Sequence, residues 1–188
     1  MSRERSYNGI PAAELKDFLE EKYLKYNTHS FIECDPISIP HSFSELRDRE
    51  ISGFLTAAIA WGRRDLILRS SRMLLERMDN KPYEFVISAG EDEISRLSGF
   101  VHRTFNGSDC IYFIRGLRYI YSNYSSMEQI VEKGISETGS IRDGLSHLRS
   151  VFFALPHASR NEKHFADVSG GAAGKRLNMF LRIIKVAC

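Results

Sequence analysis

Val168-Ser-Gly-Gly-Ala-Ala-Gly-Lys-Arg-Leu-Asn-Met-Phe-Leu181 is the stretch from which the rest of the chain is read. From Gly170 to Gly174 every residue is Gly or Ala, so the backbone can turn sharply without side-chain obstruction. Lys175 then begins a run with apolar residues at helical spacing. A helix starting there points its unsatisfied N–H groups outward, and such an end attracts anions, phosphate above all. Lys175 and Arg176 are cations in that first turn, where the helix dipole disfavours them unless something negative is close. The stretch reads as a glycine-rich turn into a helix start that offers its N–H groups, Lys175 and Arg176 to a nucleic-acid backbone, or else as a flexible loop before a basic surface helix.

Upstream, the expectation is all-α. Helical periodicity begins at Ile10-Pro11 and runs to Tyr26 as a surface helix, because Leu15, Phe18, Leu19, Tyr23 and Tyr26 recur at three and four against a charged face. From Asn27 to Phe43 prolines 36 and 40 break the pattern, and an extended segment is expected. Ser42-Phe-Ser-Glu45 has capping-box spacing ahead of Leu46 to Trp61, a helix apolar nearly all round and therefore buried. Gly62 ends it, and Arg63-Arg64-Asp65 opens an amphipathic helix behind a tight basic tip. Shorter helices are expected at Pro82 to Ser88 and Glu91 to Leu97. Longer ones are expected at Cys110 to Tyr121 capped by Asp109, after Ser125-Ser-Met-Glu128 until Gly134, and from Ser140 to Leu155. Pro156 to Val168 reads as loop, and the last helix spans about Lys175 to Val186. The result is one domain over residues 1–188, an irregular orthogonal bundle of about eight helices: an N-terminal helix (10–26), a helical core (44–155), and a hairpin with the last helix (168–186).

Composition narrows the partners. A formal net charge of +2 on 188 residues imposes no global field, so nucleic acid, DNA first, must be held by a local basic patch. Cys34, Cys110 and Cys188 stand far apart, which speaks against a disulfide framework or zinc knuckle and for a reducing cytoplasm. No signal peptide is expected, and Phe54 to Trp61 is too short an apolar run to span a bilayer.

The candidate groups each have a plainer reading. Trp61-Gly-Arg63-Arg64 can clamp phosphate or can be a helix end with solvated arginines. Phe100 and Phe105 can stack bases, but core anchoring fits them better. Arg115 and Arg118 are spaced to track phosphate, yet charges on an outer helix face usually meet water. His157 and His164 lack a third ligand at zinc spacing, so no metal and no cofactor is expected. Asp48 and Glu50 are expected in ion pairs with Arg47, Arg49 or Arg64. Lys175, at a partly buried helix start near other cations, is the candidate nucleophilic amine.

Asp48 to Arg64, Val101-His-Arg-Thr-Phe-Asn106, Tyr112-Phe-Ile-Arg-Gly-Leu-Arg118 and Lys175 to Arg182 together resemble an uncharacterised bacterial family of unknown function, over nearly the whole chain. That family is in turn distantly similar to helix-hairpin-helix DNA glycosylases, especially the archaeal 8-oxoguanine type. The resemblance implies a hairpin at Gly171 to Gly174, a Schiff-base lysine at Lys175, and a duplex-probing loop at Trp61 to Arg64. It also implies an aspartate beyond the last helix. Gly-Ala-Ala-Gly departs from the usual Gly-x-Gly, the residues from Ile183 to Cys188 leave the pattern, and the aspartate is missing. The expectation is therefore a base-excision protein incomplete at its C-terminus and of little activity, or a non-catalytic nucleic-acid-binding module, or a protein without enzymatic activity.

Overall fold

The computed structural model describes residues 6–7, 10–26, 28, 32 and 35–185. The expectations for Cys34, Cys188, Val186 and much of the segment from 27 to 34 lie outside the described residues. The chain is mostly helical, with eleven α-helices and two small strand pairs among the described residues. It divides into two compact units, Met1–Asp35 and Pro36–Cys188.

In the first unit, β1 (Ser6–Tyr7) pairs antiparallel with β2 (Ile10–Pro11), Tyr7 opposite Ile10. Helix α1 (Ala12–Tyr26) follows; Pro11 precedes it instead of occupying its first position. None of its residues is buried, as a surface helix requires, and Phe18, Leu19, Tyr23 and Leu24 are all exposed.

The second unit opens with α2 (Ser38–His41), one turn of helix where an extended segment was expected. Pro40 fits there because the first N–H groups of a helix have no intrahelical partner to lose. Helix α3 (Leu46–Ile59) is buried at every residue from Glu50 to Ile59. The Ser42 capping box is not formed: Glu45 is the N-cap, without a side-chain bond, and the Ser42 hydroxyl donates to Ile39 O at 2.7 Å. Then come α4 (Arg64–Glu76), α5 (Pro82–Ser88, with Pro82 in its first turn) and α6 (Glu91–Ser95), which runs on into a 3₁₀ turn, Arg96–Gly99.

A hairpin of β3 (Val101–His102) and β4 (Phe105–Asn106) precedes α7 (Gly107–Asn123). Strands of two residues are too short to show alternation, so the sequence pattern gives no sign of them. The cap of α7 is Asn106, whose side chain accepts the Asp109 N–H while Asp109 accepts the Asn106 N–H in return. Asp109 is thus the third residue of a reciprocal box, and the helix starts three residues earlier than expected. Helix α8 (Met127–Thr138) is capped by Ser126 through Gln129, one residue later than the expected box. It passes through Gly134 without ending. Helix α9 (Ile141–Phe152) follows, and the expected loop to Val168 contains a single turn, α10 (Ser159–Glu162). The last helix is α11 (Lys175–Lys185).

Phe54 organises the core. Its ring lies 5.3–5.9 Å from those of Phe113 on α7, Phe152 on α9, Phe165 in the loop after α10, and Phe180 on α11. Aromatic pairs in such stacked, tilted and edge-on arrangements add about 0.5–1.5 kcal/mol each beyond the area they bury. One residue of α3 thereby sets the position of α11 and, with it, of the hairpin that leads into it.

Candidate functional site

The hairpin before α11 is built from the backbone outward. Asp167 Oδ1 accepts the Gly170 N–H at 3.0 Å and the Ser169 hydroxyl at 2.5 Å, and these bonds hold its carboxyl below the usual carboxylate range. The Gly171 and Ala172 N–H groups close the turn on Val168 O and Asp167 O. Gly171 (φ +93°) and Gly174 (φ +59°) both take left-handed backbone that other residues adopt at a cost. Gly174 is buried as well, and a β-carbon there would stand 2.8 Å from Val168 Cγ1. Arg142 on α9 clasps the outside of the turn, donating to Val168 O at 3.0 Å and Ser169 O at 2.9 Å. A groove of about 310 Å³ lies along it, lined by Ile141, Arg142, Leu145, Gly171, Ala173 and Asn178 among others.

Lys175 is the first residue of α11 and is solvent-exposed, not partly buried as a desolvated amine would need to be. Its side chain meets no carboxylate among the described residues. Arg176 turns inward. Its guanidinium donates to Ala58 O in the last turn of α3 at 2.5 Å and to Lys163 O at 3.4 Å, and lies 4.7 Å over the Trp61 ring. Burial draws its pKa down. The start of α11 and the tip after α3, the two stretches singled out in the sequence, are thus held together, with Arg176 as the link between them.

At that tip, Arg63 and Arg64 are exposed, and Arg63 pairs with Asp65 at 2.8 Å. An exposed pair of this kind is worth about 0–1 kcal/mol and yields readily to a competing anion. Trp61 stacks on His164 at 5.4 Å, and its carbonyl oxygen lies 3.3 Å from His102 Nε2.

Beneath the tip is a polar cluster that the sequence pattern does not reveal. Asp109, fully buried, accepts from Arg160 at 2.8 Å and from Asn161 at 2.9 Å, and lies 3.3 Å from His164 Nε2. Its four partners come from the Asn106 cap and from three residues of the 156–168 segment, more than fifty positions away. Periodicity cannot signal a pairing of that span. Burial depresses the His164 pKa, opposed by the carboxylate beside it. The cluster ties the segment before the hairpin to the start of α7.

Phe100 and Phe105 are fully buried core anchors. Arg115 is exposed and pairs with Glu91 at 2.7 Å, whereas Arg118, expected to face water, turns in to accept the role of a cap, donating to Val86 O and Ala89 O at the end of α5. Asp48 and Glu50 make no ion pair with the neighbouring arginines: Asp48 accepts the Tyr83 N–H, and Glu50 is buried. His157 lies against Leu155 O and Glu162, apart from His164 and Asp109. Among the described residues no group of three His, Cys, Asp or Glu side chains is placed to hold a metal, and no helix is long and apolar enough to cross a membrane.

Neither the curated proteins nor the solved structures contain a match to this chain. A family model does match, over residues 35–184, which covers the second unit from its first helix almost to the end of α11. The chain belongs to the family described as Protein of unknown function (DUF2400).

Proposed function

We propose that the chain is a DNA-binding protein of the base-excision type, similar to helix-hairpin-helix glycosylases, with the Gly171–Gly174 turn and the N-terminus of α11 meeting the phosphate backbone and Lys175 as its amine nucleophile. The observation that carries this reading is the exposed Lys175 amine at the first residue of a helix entered through left-handed Gly174. Backbone N–H groups and a cation then face the same solvent, an arrangement suited to phosphate. Arg63 and Arg64 extend the positive surface at the tip that Arg176 joins to α11. Lys175 is exposed in the free chain, so the chemical step requires a flipped nucleotide to cover and desolvate it; the neutral amine then attacks the sugar C1′. The base leaves with the bonding pair and takes up a proton, and opening of the sugar ring gives an iminium that borohydride reduces to a stable amine.

A second reading, a non-catalytic nucleic-acid-binding module, is favoured by the same lysine's lack of a carboxylate partner among the described residues, since that partner would take the proton and steady the developing charge. Borohydride trapping on duplexes carrying 8-oxoguanine or an abasic site separates the two. A covalent adduct in the wild-type chain that is lost in Lys175→Gln supports the lyase reading. Salt-dependent binding without an adduct, weakened but not abolished by Lys175→Gln, moves the assignment to the binding module. No binding to either duplex at low salt overturns both.

A further inference from the structure

The tip after α3 carries a second cation source that lies 40 positions away in sequence. Gly62 sits at φ +104°, and a β-carbon there would stand 2.5 Å from Arg103 Nη1. The missing side chain is what admits the arginine. Arg103 itself, at the turn between β3 and β4, adopts φ +56°. For a residue other than glycine that conformation costs about 1–2 kcal/mol, and it persists only where the surroundings enforce it. His102 supplies the enforcement. It is buried, and its ring nitrogens lie 2.8 Å from Ser70 Oγ on α4 and 3.3 Å from Trp61 O, so the β3–β4 hairpin is fastened to the α3–α4 turn.

The arrangement holds a guanidinium in place without giving it a partner. Arg103 is exposed and has no hydrogen bond or ion pair to any described residue. Around Gly62 it joins Arg63 and Arg64, both exposed, with Asp65 as the acid within the turn. Arg63 is compensated by Asp65, whereas the Arg103 guanidinium has no such acid among the described residues, and an anion at the tip supplies one. The guanidinium fork matches phosphate oxygens in a way an ammonium does not. An open tip whose cations come from two separate turns suits a repeating phosphodiester chain better than a single enclosed anion.

We propose that the α3–α4 turn and the β3–β4 hairpin form one phosphate-gripping tip for a nucleic-acid backbone, with Arg103 its principal contact and Gly62 its seat. This rests on the nucleic-acid reading above and adds to it a residue and a surface. The test is fluorescence anisotropy of a short labelled DNA duplex, titrated at several salt concentrations, with melting curves to confirm folding. Arg103→Gln is expected to weaken binding about tenfold at low salt. It should also reduce the slope of log affinity against log salt by about 0.9, the share of one phosphate contact. Arg103→Lys should keep the slope and lose part of the affinity, because charge remains and the fork does not. Gly62→Ala, which shifts the guanidinium but leaves its charge, should keep the slope and lower the affinity less than Arg103→Gln does. Arg115→Gln, on an arginine engaged with Glu91, should change neither quantity. If Arg103→Gln binds like the wild type while Lys175→Gln weakens binding, the tip inference falls and the nucleic-acid reading stands. If the wild-type chain binds no duplex at low salt, both fall.

Discussion

Glu50 sits in the core, and among the described residues no positive side chain pairs with it. Its carboxyl takes the Tyr121 hydroxyl, the Met127 N–H at 3.0 Å and the Glu128 N–H at 3.0 Å, so a side chain of α3 satisfies two of the orphan donors at the start of α8. Burial nevertheless outweighs these bonds and raises the Glu50 pKa above the ordinary 4.5; the neighbouring Tyr121 is raised too, by burial and by the carboxylate. A carboxyl whose folded pKa lies above its unfolded value binds its proton more tightly when folded. Its contribution to stability is complete below the ordinary carboxyl range and declines as pH rises through the folded value. The urea midpoint of the wild-type chain should carry this decline from about pH 4 upward. Glu50→Gln, which cannot titrate, should lack that component. At neutral pH, Glu50→Ala should cost about 3 kcal/mol, since it strands buried donors and opens a void. The sequence predicts an ion pair with Arg47, Arg49 or Arg64 instead, because helical spacing reports only on neighbours along the same helix.

At the level of elements, the crossing of α8 and α9 shows how packing overrides propensity. Glycine inside a helix costs about 1 kcal/mol relative to alanine, which is why α8 was expected to fade at Gly134. In the fold a β-carbon at Gly134 would stand 2.8 Å from the Gly144 Cα and 2.9 Å from the His147 Cβ. The two glycines let the helix backbones approach, and that contact offsets the weak propensity. Gly134→Ala should therefore destabilise by about 2–3 kcal/mol despite the better helix former, because the obstructing atom is backbone. Gly139→Ala, at φ +73° with nothing within 4 Å, should cost about 1 kcal/mol from backbone strain alone. Urea midpoints of the two variants separate overpacking from strain, and equal losses would argue against a tight crossing. The hairpin before α11 follows the opposite rule. Its glycines were recognised from composition, and the left-handed backbone at Gly171 and Gly174 is what such a run makes available.

For the whole molecule, the Phe54 cluster is the joint on which the second unit turns. Phe54→Ala should cost about 3–5 kcal/mol and loosen α11 along with the hairpin, whereas Phe54→Leu should cost less. Urea unfolding measures the first effect. Faster amide hydrogen exchange in α11 than in α7 would report the second, and a uniform change across both helices would contradict it. The helices themselves, their apolar stripes and the glycine run were legible in the amino-acid order, because a 3.6-residue period and a missing side chain are local properties. Single-turn helices, two-residue strands and cap positions shifted by one residue were not, since so few positions carry no period. The partners of the candidate site were beyond such reading altogether. Lys175 exposed beside an inward-turned Arg176, Arg103 seated on Gly62, and Asp109 buried among Arg160, Asn161 and His164 are pairings between residues 40 to more than 100 positions apart or choices between two faces of one helix turn. Packing free energy settles these, and it is shared over the whole core, so no single stretch of chain encodes them.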